Sequence, residues 1–151
     1  MDITDFNPVT IDQQDPDVIL IVDDTPTNLA VISETLTDAG FEVAIATSAE
    51  RALEQVQREL PALILLDIMM PGMGGFEFCR LLQSHAQFKQ VPVIFMTAST
   101  DTESKVRGFK LGAVDYITKP FEEQEVVARI QTHLELKKTR LQLQQSESRL
   151  H

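Results

Sequence analysis

A chain of 151 residues with a formal charge of −10 can hold one domain with a full core and a short appendage. The acidic balance excludes non-specific nucleic-acid binding, which needs a cationic surface; it suits a bound cation or a basic protein partner instead. The longest apolar runs, Val18 to Val22 and Ala62 to Leu66, are too short to cross a bilayer, and a single cysteine, Cys79, allows neither an internal disulfide nor a cysteine metal cluster.

Asp2, Asp5 and Asp12 occupy the N-terminus without a basic flank, so no secretory signal is visible and a cytoplasmic location without a membrane partner is expected. Residues 1–16, acidic and aperiodic with Pro8 and Pro16, read as a flexible tail. Asp17 to Asp23 is a buried strand that runs into Asp24. Thr25-Pro26 then opens a helix; Leu29, Val31, Ile32 and Leu36 form its apolar stripe and Gly40 ends it. Glu42 to Ala46 is a short strand, and Ser48 caps a helix through Leu60 with Ala49, Ala52, Leu53 and Val56 inward.

The most apolar strand follows. Ala62 to Leu66 runs unbroken into Asp67, bounded by Pro61 and the Pro71-Gly72 turn, the pattern of a strand buried on both faces. Met69, Met70 and Met73 read as adaptable loop packing. Phe76 to about Ser84 is helical, with Phe78, Leu81 and Leu82 inward and Cys79 as a small buried residue. Val91 to Thr97 is a fourth strand with Pro92 near its start. Asp101 to Leu111 is a weaker helix, since Gly108 lowers its stability by ~1 kcal/mol relative to Ala. Val114 to Thr118 is a fifth strand, followed by Lys119-Pro120-Phe121.

From Glu122 nothing breaks a helix before His151, and Val126, Val127 and Ile130 supply its inner stripe. Leu134 and Leu141 repeat at seven, as do Leu136, Leu143 and Leu150, but on different faces, so no single heptad seam emerges. Residues 17–136 form the domain and 137–151 a helical connector. Lys137, Lys138 and Arg140 are too small a cluster to argue for nucleic acid. His85, His133 and His151 have no partner at ligand spacing and read as surface residues.

Strands alternating with helices imply an α/β fold, a doubly wound parallel sheet with helices on both faces. Ligands in such sheets sit outside the carboxyl ends of the strands. That rim collects Asp23-Asp24, Asp67, Thr97-Ala98-Ser99 and Thr118-Lys119-Pro120. Three carboxylates cannot share a cleft fully ionised without a counter-charge, and Mg²⁺ suits an open site of carboxylates, waters and phosphate oxygens. A metal-bound, lysine-flanked carboxylate can attack a phosphoryl group, with Lys119 neutralising its oxygens and Thr97 donating a hydrogen bond.

Asp23-Asp24, Asp67 within Leu-Leu-Asp-Ile-Met-Met-Pro, Thr97-Ala98, and Lys119-Pro120 with Tyr116 three residues earlier resemble, as an ordered set, the receiver domain of bacterial two-component response regulators. The resemblance covers about residues 17–136 and implies a flavodoxin-like sheet of order 2-1-3-4-5. By it, Asp67 is the phosphoacceptor; Asp24, Asp67 and the Met69 carbonyl bind Mg²⁺ directly, and Asp23 mainly through water. Thr97, Ala98 and Lys119 contact the phosphoryl group, Lys119-Pro120 is a cis peptide, and Tyr116 turns inward as Thr97 moves. Side chains at Met69 and Ser99 tune acyl-phosphate hydrolysis. Gly74 stands where the family often has Asp, a change in loop geometry that leaves the chemistry intact.

The implied role is a phosphorylation-controlled signalling module rather than an enzyme, with slow self-dephosphorylation. Its donor is a histidine kinase or histidine phosphotransfer protein. Its output surface is the fourth helix, fifth strand and fifth helix, with a homodimer through that region or the C-terminal helix. The alternative is an Asp-nucleophile phosphatase of the haloacid-dehalogenase type, but that family carries Asp-x-Asp where Ile68 and Met69 follow Asp67. A flavin phosphate would be repelled by Asp23-Asp24, and no Walker or dinucleotide glycine motif is present.

Overall fold

The computed structural model describes residues 17–98 and 102–150, with side chains as far as residue 146. Five strands, β1 (Val18–Val22), β2 (Glu42–Ala46), β3 (Leu63–Asp67), β4 (Val93–Thr97) and β5 (Asp115–Thr118), alternate with five helices. These are α1 (Pro26–Asp38), α2 (Ala49–Arg58), α3 (Gly75–Gln83), α4 (Thr102–Lys110) and α5 (Glu123–Leu150). All strand pairs are parallel and the order is β2-β1-β3-β4-β5. This is the flavodoxin-like order expected from the sequence.

Successive side chains of a strand point to opposite faces, and the core divides accordingly. Ile19, Ile21, Leu63, Leu65, Ile94 and Met96 pack against α1 and α5 through Leu29, Ile32, Leu36, Val126, Ile130 and Leu134. The alternate residues Leu20, Val22, Ile64, Leu66 and Phe95 meet Ala52 and Val56 of α2 and Phe78 and Leu82 of α3. Burying one such side chain contributes roughly 1.5–3 kcal/mol. Every residue of β3 and β4 is buried, whereas edge strand β2 is mostly half-exposed. That gradient explains why β3 reads as one unbroken apolar run.

Local signals act where chemistry requires them. Pro26 begins α1, and the N–H groups of Gly40 and Phe41 close its end on the Thr37 and Leu36 carbonyls. Ser48 Oγ accepts from the Arg51 N–H at the start of α2. Three expectations need correction. Val31 is 47% exposed, because at about 100° per residue it points away from the stripe of Leu29, Ile32 and Leu36. Met69 is also turned to solvent, while Met70 and Met73 pack on the core. Helix α2 ends at Arg58, and Glu59 is already extended.

Residues 1–16, Ser99, Asp101 and His151 lie outside the described residues, as does the side chain of Leu150. Helix α5 runs through residues 136 and 137 without a break, and Leu134 is its last buried apolar residue among the described side chains. Among the described residues no helix is long and apolar enough to cross a membrane.

Candidate functional site

Register alone assembles the rim. Val22 of β1 is level with Leu66 of β3, so Asp23 and Asp67 emerge side by side. Asp67 is level with Met96 of β4, placing Thr97 one residue further out. Thr97 is level with Thr118 of β5, so Lys119 follows directly. Oxygens of Asp23, Asp24 and Asp67 all lie within 4.8 Å of one another. Asp23 and Asp67 are buried and Asp24 is exposed.

Lys119 is the counter-charge in this cluster. Its Nζ lies 3.4 Å from Asp67 Oδ1 and 3.6 Å from Asp23 Oδ2. The Thr25 N–H donates to Asp23 Oδ1 at 2.9 Å, Asn28 Nδ2 to Asp23 Oδ2 at 3.3 Å, and the Met69 N–H to Asp67 Oδ1 at 3.1 Å. Burial and the nearby Asp23 charge push the Asp67 carboxyl up, while Lys119 and the Met69 N–H pull it down without cancelling the rise. Two buried carboxylates and one exposed carboxylate thus share one ammonium, which leaves the cluster short of positive charge. A set made only of oxygens, open on the Asp24 side, fits a hard divalent cation such as Mg²⁺.

The backbone behind Asp67 is held by a close approach that only glycine allows. A Cβ at Gly75 would sit 2.5 Å from the Asp67 carbonyl oxygen and 2.9 Å from Ile68 Cα. The Gly75 N–H instead donates to the Ile68 carbonyl at 3.1 Å, seating the first turn of α3 on the end of β3. Thr97 is buried, Ala98 is exposed, and Lys119-Pro120 is a cis peptide.

Tyr116 is turned inward. The residue is 7% exposed, and its hydroxyl lies 2.9 Å from the Ser104 carbonyl and 2.8 Å from that of Lys105, sharing one proton between two successive carbonyls of α4. The ring contacts Phe95 and Phe109 edgewise or tilted at 5.7 and 5.1 Å. Space for the hydroxyl exists because residue 108 is glycine: a Cβ there would overlap it. The glycine that weakens α4 as a helix is what lets tyrosine fit beneath it.

A second polar cluster lies at the start of β5. Arg129 Nη1 donates to both oxygens of Asp115 at 2.8 Å, and His133 Nε2 is 3.0 Å from Asp115 Oδ2. His133 is therefore half-buried and partnered, not the surface residue expected; His85 is exposed, as expected. Sequence reasoning missed this cluster and the Asn28–Asp23 contact. The signal for the first was present: Arg129 and His133 are four apart on α5 and face one way. The Cys79 thiol is buried and pushed up to about 11 by that burial, consistent with a packing role.

Comparison with known proteins agrees with this geometry. The response regulator receiver domain family matches residues 19–131. The DNA-binding response regulator MtrA of Mycolicibacterium smegmatis is 40% identical over 116 residues, which are 77% of this chain and 50% of MtrA. The response regulator PleD of Caulobacter vibrioides is 36% identical over 130 residues, 86% of this chain and 29% of PleD. The structure of chemotaxis protein CheY4 of Vibrio cholerae matches with a TM-score of 0.75 at 33% identity, over 78% of this chain and 98% of CheY4. The chain thus spans half or less of the two curated relatives and nearly all of CheY4. By family match, strand order and relatives, this chain belongs to the response regulator receiver domains of two-component signalling.

Proposed function

We propose that Asp67 accepts a phosphoryl group from a phosphohistidine on a histidine kinase or histidine phosphotransfer protein. The supporting observation is the shared ammonium: Lys119 lies within 3.6 Å of two buried carboxylates that it cannot both neutralise. One Asp67 oxygen attacks phosphorus, the P–N bond to the donor imidazole breaks, and the imidazole leaves with the bonding pair. Lys119 then offsets the charge on the phosphoryl oxygens, and the Thr97 hydroxyl and the backbone at Ala98 donate to them. Asp23, Asp24, Asp67 and the Met69 carbonyl would hold Mg²⁺, which supplies the positive charge the cluster lacks.

An aspartyl phosphate brings about −1.5 to −2 charges next to Thr97. A shift of Thr97 toward it would hold Tyr116 in the inward position it already occupies, and that position biases the surface of α4, β5 and α5. That surface, or residues 137–151 of α5 acting as a connector, meets a second copy or an output partner; residues 17–136 are the domain proper. The cytoplasm is where such a donor would be met. The domain acts stoichiometrically, with slow self-dephosphorylation, and the comparisons lend the haloacid-dehalogenase alternative no support.

The test is exposure to a small phosphodonor such as acetyl phosphate with Mg²⁺, read by intact mass. One phosphoryl group per chain, absent in Asp67→Ala and without Mg²⁺, is expected. Continued turnover of the donor, or unchanged labelling of Asp67→Ala, overturns the reading.

A further inference from the structure

At the end of the sheet opposite the rim, a hollow of about 380 Å³ opens between α5 and the segments that precede β4 and β5. Lys89, His133, Lys137 and Arg140 line it, and no carboxylate does so among the described residues. The chain as a whole carries 23 acidic residues against 13 basic ones. Gathering three permanent cations round one hollow therefore runs against its overall charge, and like charges brought together cost stability unless an anion joins them.

The nearest acids do not discharge the hollow. Asp115, beside His133, is held by two 2.8 Å bonds to Arg129. The Asp17 charge acts on Lys137, where burial and the Arg140 charge outweigh it. Lys137 Nζ donates one hydrogen bond, to the Ala62 carbonyl at 3.3 Å. That contact anchors the half-buried side chain at the floor of the sheet and leaves two of its three protons for a ligand.

The rest of the lining has a different character. Pro92, Val114 and Leu136 form an apolar wall, and Gln83 and Gln90 add amides; Leu136 is 56% exposed. Inorganic phosphate would use only the cations. Ligand hollows run from roughly 300 to 1,000 Å³ and join an apolar wall to a few polar groups that set orientation. This hollow lies at the small end of that range.

We propose that the hollow binds a nucleotide-sized anion bearing two or more phosphates. Lys89, Lys137 and Arg140 hold the phosphates, Pro92 and Leu136 cover the non-ionic part, and Gln83 and Gln90 hydrogen-bond at its edge. Lys137 and Arg140 lie on α5 beyond Leu134, so a bound anion ties that stretch of helix to the loop before β4.

The test is calorimetric titration of the full chain with ADP, pyrophosphate and adenosine, without Mg²⁺ so that the rim offers phosphate little. One ADP per chain is expected, tighter than pyrophosphate and far tighter than adenosine. Paired Lys89→Gln and Arg140→Gln substitutions should weaken ADP at least tenfold, whereas Lys119→Gln leaves it unchanged; thermal unfolding confirms that both variants fold. Absence of saturable ADP binding overturns the proposal, since the cations would then merely complement the carbonyl ends of α3 and α4. Loss with Lys119→Gln alone places the anion at the rim and also overturns it. Pyrophosphate binding as tightly as ADP overturns the part given to Pro92 and Leu136.

Discussion

Asp67 and Asp115 are the same residue in opposite electrical settings. Asp67, buried at the end of β3, has another carboxylate beside it and half a claim on Lys119. Asp115, at the start of β5, takes two bonds from Arg129, which also holds Glu125, and a third from His133. Burial raises both carboxyls, but at Asp115 the bonds from His133, the Tyr116 N–H and Arg129 outweigh it and hold the group below its usual range, whereas Asp67 stays above. A satisfied carboxylate serves the fold. An under-compensated one is held at a cost to stability, the mark of a site awaiting charge from outside.

The comparison breaks most visibly at Asp67 itself. Asp67→Ala should abolish phosphorylation, read by intact mass, while Asp115→Asn leaves it in place. Next comes Gly75→Ala, whose Cβ would overlap the Asp67 backbone. It should cost about 2–3 kcal/mol in denaturant unfolding and slow labelling by displacing the acceptor.

The sign then reverses. A folded pKa raised above the unfolded value favours the protonated form, so that stability is present at low pH and lost as pH rises through the folded pKa. Ionised Asp67 therefore strains the domain at neutral pH. Asp67→Asn should stabilise it by about 1 kcal/mol, a few degrees in Tm, with the gain vanishing in acid. Mg²⁺ at about ten times its Kd should stabilise the native chain by about 1.4 kcal/mol and the variant by less.

Asp115 runs the other way. Its lowered pKa gives stability that is present above the unfolded value of about 3.9 and lost as pH falls through the folded one. Asp115→Asn should cost about 1 kcal/mol at neutral pH, a modest figure because both partners are partly exposed, and little at pH 2. Smallest is Met69→Asn. The Met69 side chain is 77% exposed and cannot orient water, so an amide worth about 1 kcal/mol of hydrogen bonding should speed aspartyl-phosphate decay about fivefold. Equal decay rates would remove that role.

The strands and their order were legible because buried parallel strands leave unbroken apolar runs and their ends are punctuated by polar residues. Asp23, Asp24, Asp67, Thr97 and Lys119 were legible as a set for the same reason. Each stands within two residues of the end of such a run. His133 was misread because its partner lies 18 positions away, and Met69 because composition does not say which of three neighbouring methionines turns outward. Gly108 read only as a weak point in a helix, since nothing local to α4 reveals the Tyr116 hydroxyl beneath it.

By itself the sequence determined the period of each element, the sheet class and the residues gathered at the rim. These follow from side-chain alternation and chain direction, which are local. Only the tertiary structure decided how charge is shared: one ammonium between two buried carboxylates at the rim, one guanidinium and one imidazole on a single carboxylate at β5, and three cations round the hollow at the other end. Coulomb energy depends on distance and burial, and neither is written in the spacing of residues along a chain.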